Sequence, residues 1–320
     1  MPPRIIVVPS LAPSRAPARA KRVVCAWALA AVAAGTWSCS GGTAEAPQIP
    51  SPAIAAPAAG GAVDDRIETS IGLVLRKIAP ATFVMGSPPT EVGRREGETL
   101  HRVTISKPYW IGETEVTQQQ WREVMGTTPW AGMNYTTTGD TVPATFVSWT
   151  DAVAFCAKLT ERERQAGRLP AGMSYTLPTE AEWELACRGS ATNTSAYCFG
   201  DDARQLGQYA VFGKPVLGGH ADAVRTKQPN AYGLYDMHGN IDEWCADSAD
   251  FAHGRVVTDT YRDGVVDPLS LVGERRANRG GYWNGEPASC RSAFRNAFAP
   301  SFANLCLGFR PVLVARPPVK

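Results

Sequence analysis

The chain has 320 residues, 44% of them hydrophobic, with 9 Trp, 30 Gly and 25 Pro, which suffices for a globular core but carries too much glycine and proline for a helical bundle. The formal charge of +2 hides an asymmetry: Arg4, Arg15, Arg19, Lys21 and Arg22 precede any acid, leaving 27 basic against 30 acidic residues, a net of −3, for the remainder. A weakly acidic remainder gives no electrostatic reason to expect a nucleic-acid partner.

The basic residues precede an apolar run, Val23 to Ala34, and then Gly-Thr-Trp-Ser-Cys at 35 to 39. This is the order of a secretory signal, and the run is too short to span a bilayer as a mature helix. Ser38-Cys39-Ser40 resembles a bacterial lipoprotein box, although Thr36 and Trp37 depart from its small aliphatic pattern. The expectation is an exported chain anchored to a membrane by lipid on Cys39, in the periplasm or at the outer surface, with plain secretion as the second choice. Residues 40–64, rich in Ala, Pro and Gly, bury too little apolar surface to fold and read as a tether. The expected organisation is thus a signal at 1–39, a linker at 40–64 and a folded domain at 65–320.

Alternating apolar residues from Ile71 to Ser87 predict a strand running into a turn, and Arg102 to Ser106 predicts another. Thr117 with Gln120 forms a capping-box pattern ahead of Trp121, Val124 and Met125 at helical spacing. Ser148 with Asp151 opens a second helix with Trp149, Ala152, Val153, Cys156 and Leu159 on its buried face. Thr179 with Glu182 opens a third, ending at Gly189. Beyond Gly189 the periodicities fade until Arg279 to Gly285 and Leu307 to Arg310. The reading is α+β, irregular and loop-rich.

Within the aperiodic centre, Asp236 and Glu243 stand seven residues apart around Gly239-Asn240, a pair suited to positive φ. Such a loop either turns carboxylates and carbonyls onto one hard cation or merely feeds Met237, Ile241 and Trp244 into a core.

Seven blocks occur in order: Phe83-Val-Met-Gly-Ser87, Glu115-Val-Thr117, Val147-Ser-Trp149 with Asp151-Ala152, Leu177-Pro-Thr-Glu-Ala-Glu-Trp183, Gly233-Leu-Tyr-Asp-Met-His-Gly-Asn240, Arg279-Gly-Gly281 and Gly308-Phe-Arg310. From about Gly72 to Val314 the chain therefore resembles the formylglycine-generating enzyme, or sulfatase-modifying factor, family. The resemblance implies an irregular variant of the C-type-lectin-like fold. It also implies a structural Ca²⁺ site with the side chains of Asp236 and Glu243 and the carbonyls of Gly239 and Ile241 as ligands. The family's second calcium site, expected between Tyr209 and Val224, has no match.

The family's oxidases hold Cu(I) between two thiolates, a linear soft-donor site, in the segment after the Gly-Gly. Counted from Gly281, the first falls on Gly285 and the second on Cys290, which makes Cys290 the candidate catalytic residue without its partner. Counted back from Gly308, even Cys290 slips from register. Tyr282 and Asp242 replace a Ser and a Trp beside the site. A copper cofactor is accordingly not expected, since function lives in the site and not in the scaffold. His101, His220, His238 and His253 show no paired ligand spacing. Cys156, Cys187, Cys198, Cys245, Cys290 and Cys306 suggest disulfides in an exported chain, and the resemblance favours Cys187 with Cys290.

The function expected from these readings is a calcium-stabilised binding or structural module of the cell envelope, engaging an envelope protein or peptide. The alternatives are a formylglycine-generating oxidase acting on a sulfatase Cys, or another activity on the same scaffold.

Overall fold

The computed structural model describes residues 65–252, 255–316 and 318; the signal, Cys39, the 40–64 tether and His253 lie outside the described residues. The alternation after Ile71 gives two strands, β2 (Val74–Ile78) and β3 (Ala81–Met85), preceded by β1 (Arg66–Glu68). Pro80, which has no amide to donate, separates them. Then come β4 (His101–Ile105), β5 (Tyr109–Gly112), α1 (Gln118–Met125), α2 (Trp149–Gln165), β6 (Ser174–Thr176) and α3 (Glu180–Arg188). Each helix opens with the predicted reciprocal cap, Thr117 with Gln120, Ser148 with Asp151 and Thr179 with Glu182. Gly189 closes α3 in the left-handed region at φ 68°.

The second half holds β7 (Asp242–Ala252), β8 (Arg255–Val257), β9 (Val265–Val266), β10 (Arg275–Arg279), β11 (Asn296–Phe298), β12 (Leu307–Gly308) and β13 (Val312–Val314). Three sheets result, ordered β1-β2-β5-β13-β6, β11-β10-β7-β12 with β8 on β7, and β3-β4-β9. The last strand, β13, lies antiparallel between β5 and β6, so the end of the domain closes the sheet begun near its start. The arrangement is sheet-rich with few helices, the irregular C-type-lectin-like architecture expected.

One apolar core gathers Trp121, Phe155, Trp149, Trp244 and Phe309. Trp121 stacks on Phe155 at 5.7 Å between centroids, and Phe309 meets Phe155 edge-on at 5.3 Å, geometries that aromatic rings favour. Indole donors tie this core to β7: Trp149 Nε1 reaches the Cys245 carbonyl and Trp244 Nε1 the Val147 carbonyl, both at 2.9 Å. A second core surrounds α3 with Phe83, Met85, Trp183, Leu185 and Met237.

All nine residues of α3 are buried, three glutamates and an arginine included. Buried charges persist only when paired, and here they are. Glu180 takes Arg279 at 2.8 Å and Arg295 at 2.5 Å. Glu184 takes Arg188 at 2.6 Å and Arg279 at 3.0 Å. Glu182 pairs with Arg316. Burial alone would raise Glu180, but the guanidiniums of Arg295 and Arg279 outweigh it and hold its carboxyl at about 2. The Arg279 of the Gly-Gly block is thus a structural clamp between α3 and β10.

Candidate functional site

The loop from Gly233 to Trp244 enters β7 through four left-handed residues, Gly233 at φ 77°, Asp236 at 60°, Gly239 at 120° and Asn240 at 62°. Asn230 anchors its start: its amide donates to the Ala186 carbonyl at the end of α3 at 2.7 Å, and its Oδ1 accepts from Tyr232 N and Leu234 N. Gly239 is required on two counts. A Cβ there would lie 2.5 Å from the Val211 carbonyl oxygen, and φ near 120° excludes ordinary side chains. That same carbonyl accepts Asn240 N at 2.8 Å.

The loop places its two predicted acids differently. Glu243 is fully buried and both its oxygens are taken: Arg310 Nη2 donates to Oε1 at 2.6 Å, while Arg310 Nε and Trp183 Nε1 donate to Oε2 at 2.6 and 2.7 Å. Asp236 accepts from Arg225 N through Oδ2 at 2.8 Å, and its Oδ1 is buried without a donor. Burial raises the Asp236 carboxyl to about 6, with Glu243 and Asp222 adding to the effect of burial and Arg310 opposing it. Of the carbonyl ligands the resemblance implied, Gly239 sits against Val211, and the Ile241 side chain is buried beside Gly308.

A third carboxylate, which the sequence did not single out, faces this loop. Glu115 accepts from Asn240 Nδ2 through Oε1 at 3.2 Å, and its Oε2 is buried without a donor. Burial, then the charges of Asp236 and Glu243, push its carboxyl well above the usual range. Its only sequence signal is position: an acid inside the Glu115-Val-Thr117 block, between segments that feed the core. Among the described residues no three His, Cys, Asp or Glu side chains converge as a metal-holding group, so a cation here would have to draw on two carboxylates with carbonyl and water oxygens.

The segment after the Gly-Gly folds back on itself. Cys290 is 0% exposed, and burial drives its thiol up to about 12, with Asp242 adding to the rise. A Cβ on Gly285 would lie 2.6 Å from Ser289 Oγ and 3.0 Å from the Tyr282 carbonyl oxygen, so a side chain there would have to displace the Ser289 hydroxyl and would crowd the Tyr282 carbonyl. Asp242, where the resemblance implied a Trp, accepts Gly281 N through Oδ1 at 3.0 Å and is raised by burial to about 8.

The expected Cys187–Cys290 bridge is not formed, and both residues are free thiols. The Cys187 thiol instead donates to the Met237 carbonyl at 3.5 Å and lies 3.7 Å from both His238 Nδ1 and Ser292 Oγ. His238 Nδ1 donates to the Cys290 carbonyl at 2.8 Å, and Nε2 accepts from Cys198 N at 3.0 Å, so an imidazole occupies the space between the two segments. Burial depresses His238 to about 4, which keeps it neutral. A cleft of about 710 Å³ opens beside the same segment, lined by Glu91, Val92, Tyr197, Asp201, Glu286 and Ala288 among others.

Comparison with known proteins matches residues 74–315 to the sulfatase-modifying factor enzyme 1-like domain. The chain is 31% identical to the mouse formylglycine-generating enzyme over 224 residues, which is 66% of this chain and 52% of that protein; it spans about half the length of the curated relatives it matches. Among solved structures it resembles Treponema denticola variable protein 1, with a TM-score of 0.64 and 28% identity over 78% of this chain and 99% of that one. It also resembles PvdO from Pseudomonas aeruginosa, at 0.62 and 27% over 78% and 97%. By the extent of the domain match and the shared architecture, the chain belongs to the sulfatase-modifying factor enzyme 1-like family.

Proposed function

We propose that this chain is an exported, calcium-stabilised binding or structural module of the cell envelope that does not carry out formylglycine formation. The observation that carries the reading is Gly285, which offers no side chain where the family places a thiolate and where an added Cβ would crowd the Ser289 hydroxyl and the Tyr282 carbonyl. Linear Cu(I) coordination needs two soft donors. The segment supplies one, Cys290, whose proton is held by burial, and the exposed Glu286 is a hard carboxylate, a poor match for Cu(I). The donor set does not fit copper.

Calcium fits better. Asp236 Oδ1 and Glu115 Oε2 are buried oxygens without donors, the kind of group that is stabilised by a hard cation or a proton and by little else. When bound, the ion would supply structural stabilisation of the loop entering β7. Export and lipid anchoring rest on the order of charges, apolar run and Cys39 in the first 39 residues. The cleft beside Glu286 is where such a module would take an envelope protein or peptide.

Copper affinity tests the reading. A chromogenic Cu(I) chelator in competition with the reduced chain should retain the metal, and Gly285→Cys should not create a tight site, because a side chain there must first displace the Ser289 hydroxyl from its bond to the Glu286 carbonyl. Stoichiometric, tight Cu(I) binding that is lost in Cys290→Ala would refute it.

A further inference from the structure

Two of the buried carboxylate oxygens of the domain have no hydrogen-bond partner, Asp236 Oδ1 and Glu115 Oε2, and they belong to residues 2% and 0% exposed. They sit on segments that the fold lays side by side. Tyr235 N, one residue before Asp236, donates to the carbonyl of Glu113 at 2.9 Å, just ahead of Glu115. Arg310 clasps the same two segments, donating to the carbonyls of Gly112, Glu113 and Tyr235.

Each carboxylate is tethered on one side and open on the other. Arg225 N holds Asp236 Oδ2 at 2.8 Å, and Asn240 Nδ2 holds Glu115 Oε1 at 3.2 Å. Asn240 is itself fixed, since its Oδ1 accepts Asp222 N at 2.9 Å. The orientation of both open oxygens is therefore set by the loop. Arg310, the nearby cation, has its Nε and Nη2 donors committed to Glu243, so no guanidinium N–H serves the open pair.

We propose that Glu115, and not Glu243, is the second carboxylate of the calcium site, with Ca²⁺ held between Asp236 Oδ1 and Glu115 Oε2. The inference rests on the calcium reading above and changes its ligand set. Glu243 would have to release Arg310 or Trp183 to reach a metal, whereas Glu115 gives up nothing. Acceptor-only oxygens select a hard cation over a soft one, and protein carbonyls and water complete the shell. Glu243 then acts at one remove, by holding Arg310 and through it the two ligand-bearing segments.

The test is calcium titration calorimetry and thermal melting of the purified chain, stripped with EDTA, in wild type and Glu115→Gln. Gln keeps an oxygen for Asn240 and removes the charge. Wild type should bind about one Ca²⁺ and melt higher with it, while the variant should lose about tenfold or more in affinity together with most of the calcium-induced shift. In EDTA the variant should melt no lower than wild type, because without metal the Glu115 Oε2 that the amide replaces has no partner to lose. A variant that binds calcium as wild type does would overturn the role of Glu115 and leave the calcium reading standing. A wild type that neither binds calcium nor changes its melting would overturn both. A variant that melts below wild type in EDTA, or fails to fold, would show that the Glu115 charge is needed without metal and would also overturn the proposal.

Discussion

Glu243 and Arg310 meet in a two-point ion pair, both contacts at 2.6 Å, with neither side chain exposed to solvent. The pair joins the first turn of β7 to the chain just before β13, and Trp183 of α3 adds a third donor. Arg310→Met leaves Glu243 buried and uncompensated. Its expected cost is about 3–5 kcal/mol in urea unfolding. Arg310→Lys should recover only part of this, because an ammonium cannot span both oxygens. A loss below about 1 kcal/mol for Met would mean that solvent reaches the pair and screens it.

Gly239→Ala tests the loop that carries Asp236. The substitution forces a Cβ to within 2.5 Å of the Val211 carbonyl oxygen at φ 120°. Backbone strain of this kind costs about 1–3 kcal/mol before any clash is counted. Chemical denaturation should report that loss or more, and calcium affinity should fall with it. An unchanged midpoint would show that the loop has another low-energy conformation.

Asp247 gives a pH signature. It accepts Glu180 N at 2.8 Å and Ser270 N at 2.9 Å, and burial followed by the charge of Glu180 raises it from 3.8 to about 7. The folded state therefore holds a proton that the unfolded chain has released. The stability this contributes is complete below about pH 4 and is lost as pH rises through about 7, at up to about 1.4 kcal/mol per pH unit. Asp247→Asn should flatten that part of the stability curve between pH 4 and 7, whatever it does to absolute stability. An identical slope in the variant would mean that Asp247 is ionised throughout.

The helices and β4 were legible in the sequence because local chemistry fixes them, whereas β1 was not read at all and the single strand read over Ile71 to Ser87 is two, β2 and β3. Capping boxes at Thr117, Ser148 and Thr179 need only a hydroxyl and a partner three residues on. β7 was not legible. Its eleven residues include Asp242, Glu243, Asp247 and Asp250, and the first eight are buried on both faces, so no alternation marks it. Its acids are tolerated because amides and guanidiniums from distant segments meet them, and those partners are invisible in a linear reading. The same reason hid Glu115: its relation to Asp236 is made by Tyr235, Asn240 and Arg310 across the fold. The disulfide expectation failed because His238 stands between the segments of Cys187 and Cys290.

Membrane placement is tested at Cys39. If lipid on this residue supplies the affinity, Cys39→Ser should move the chain from the membrane to the soluble fraction, since a domain of net negative charge has no attraction of its own for an anionic surface. Wild type found soluble, with an N-terminus other than residue 39, would contradict the anchor.

The proposal that the chain lacks oxidase chemistry is tested most directly by mass spectrometry of a sulfatase-type Cys-x-Pro-x-Arg peptide incubated with the copper-treated chain, oxygen and a reductant. With Gly285 in place of one thiol donor and Cys290 buried as a neutral thiol, the peptide should be recovered with its cysteine intact. Formation of the aldehyde, abolished by Cys290→Ala, would contradict the account.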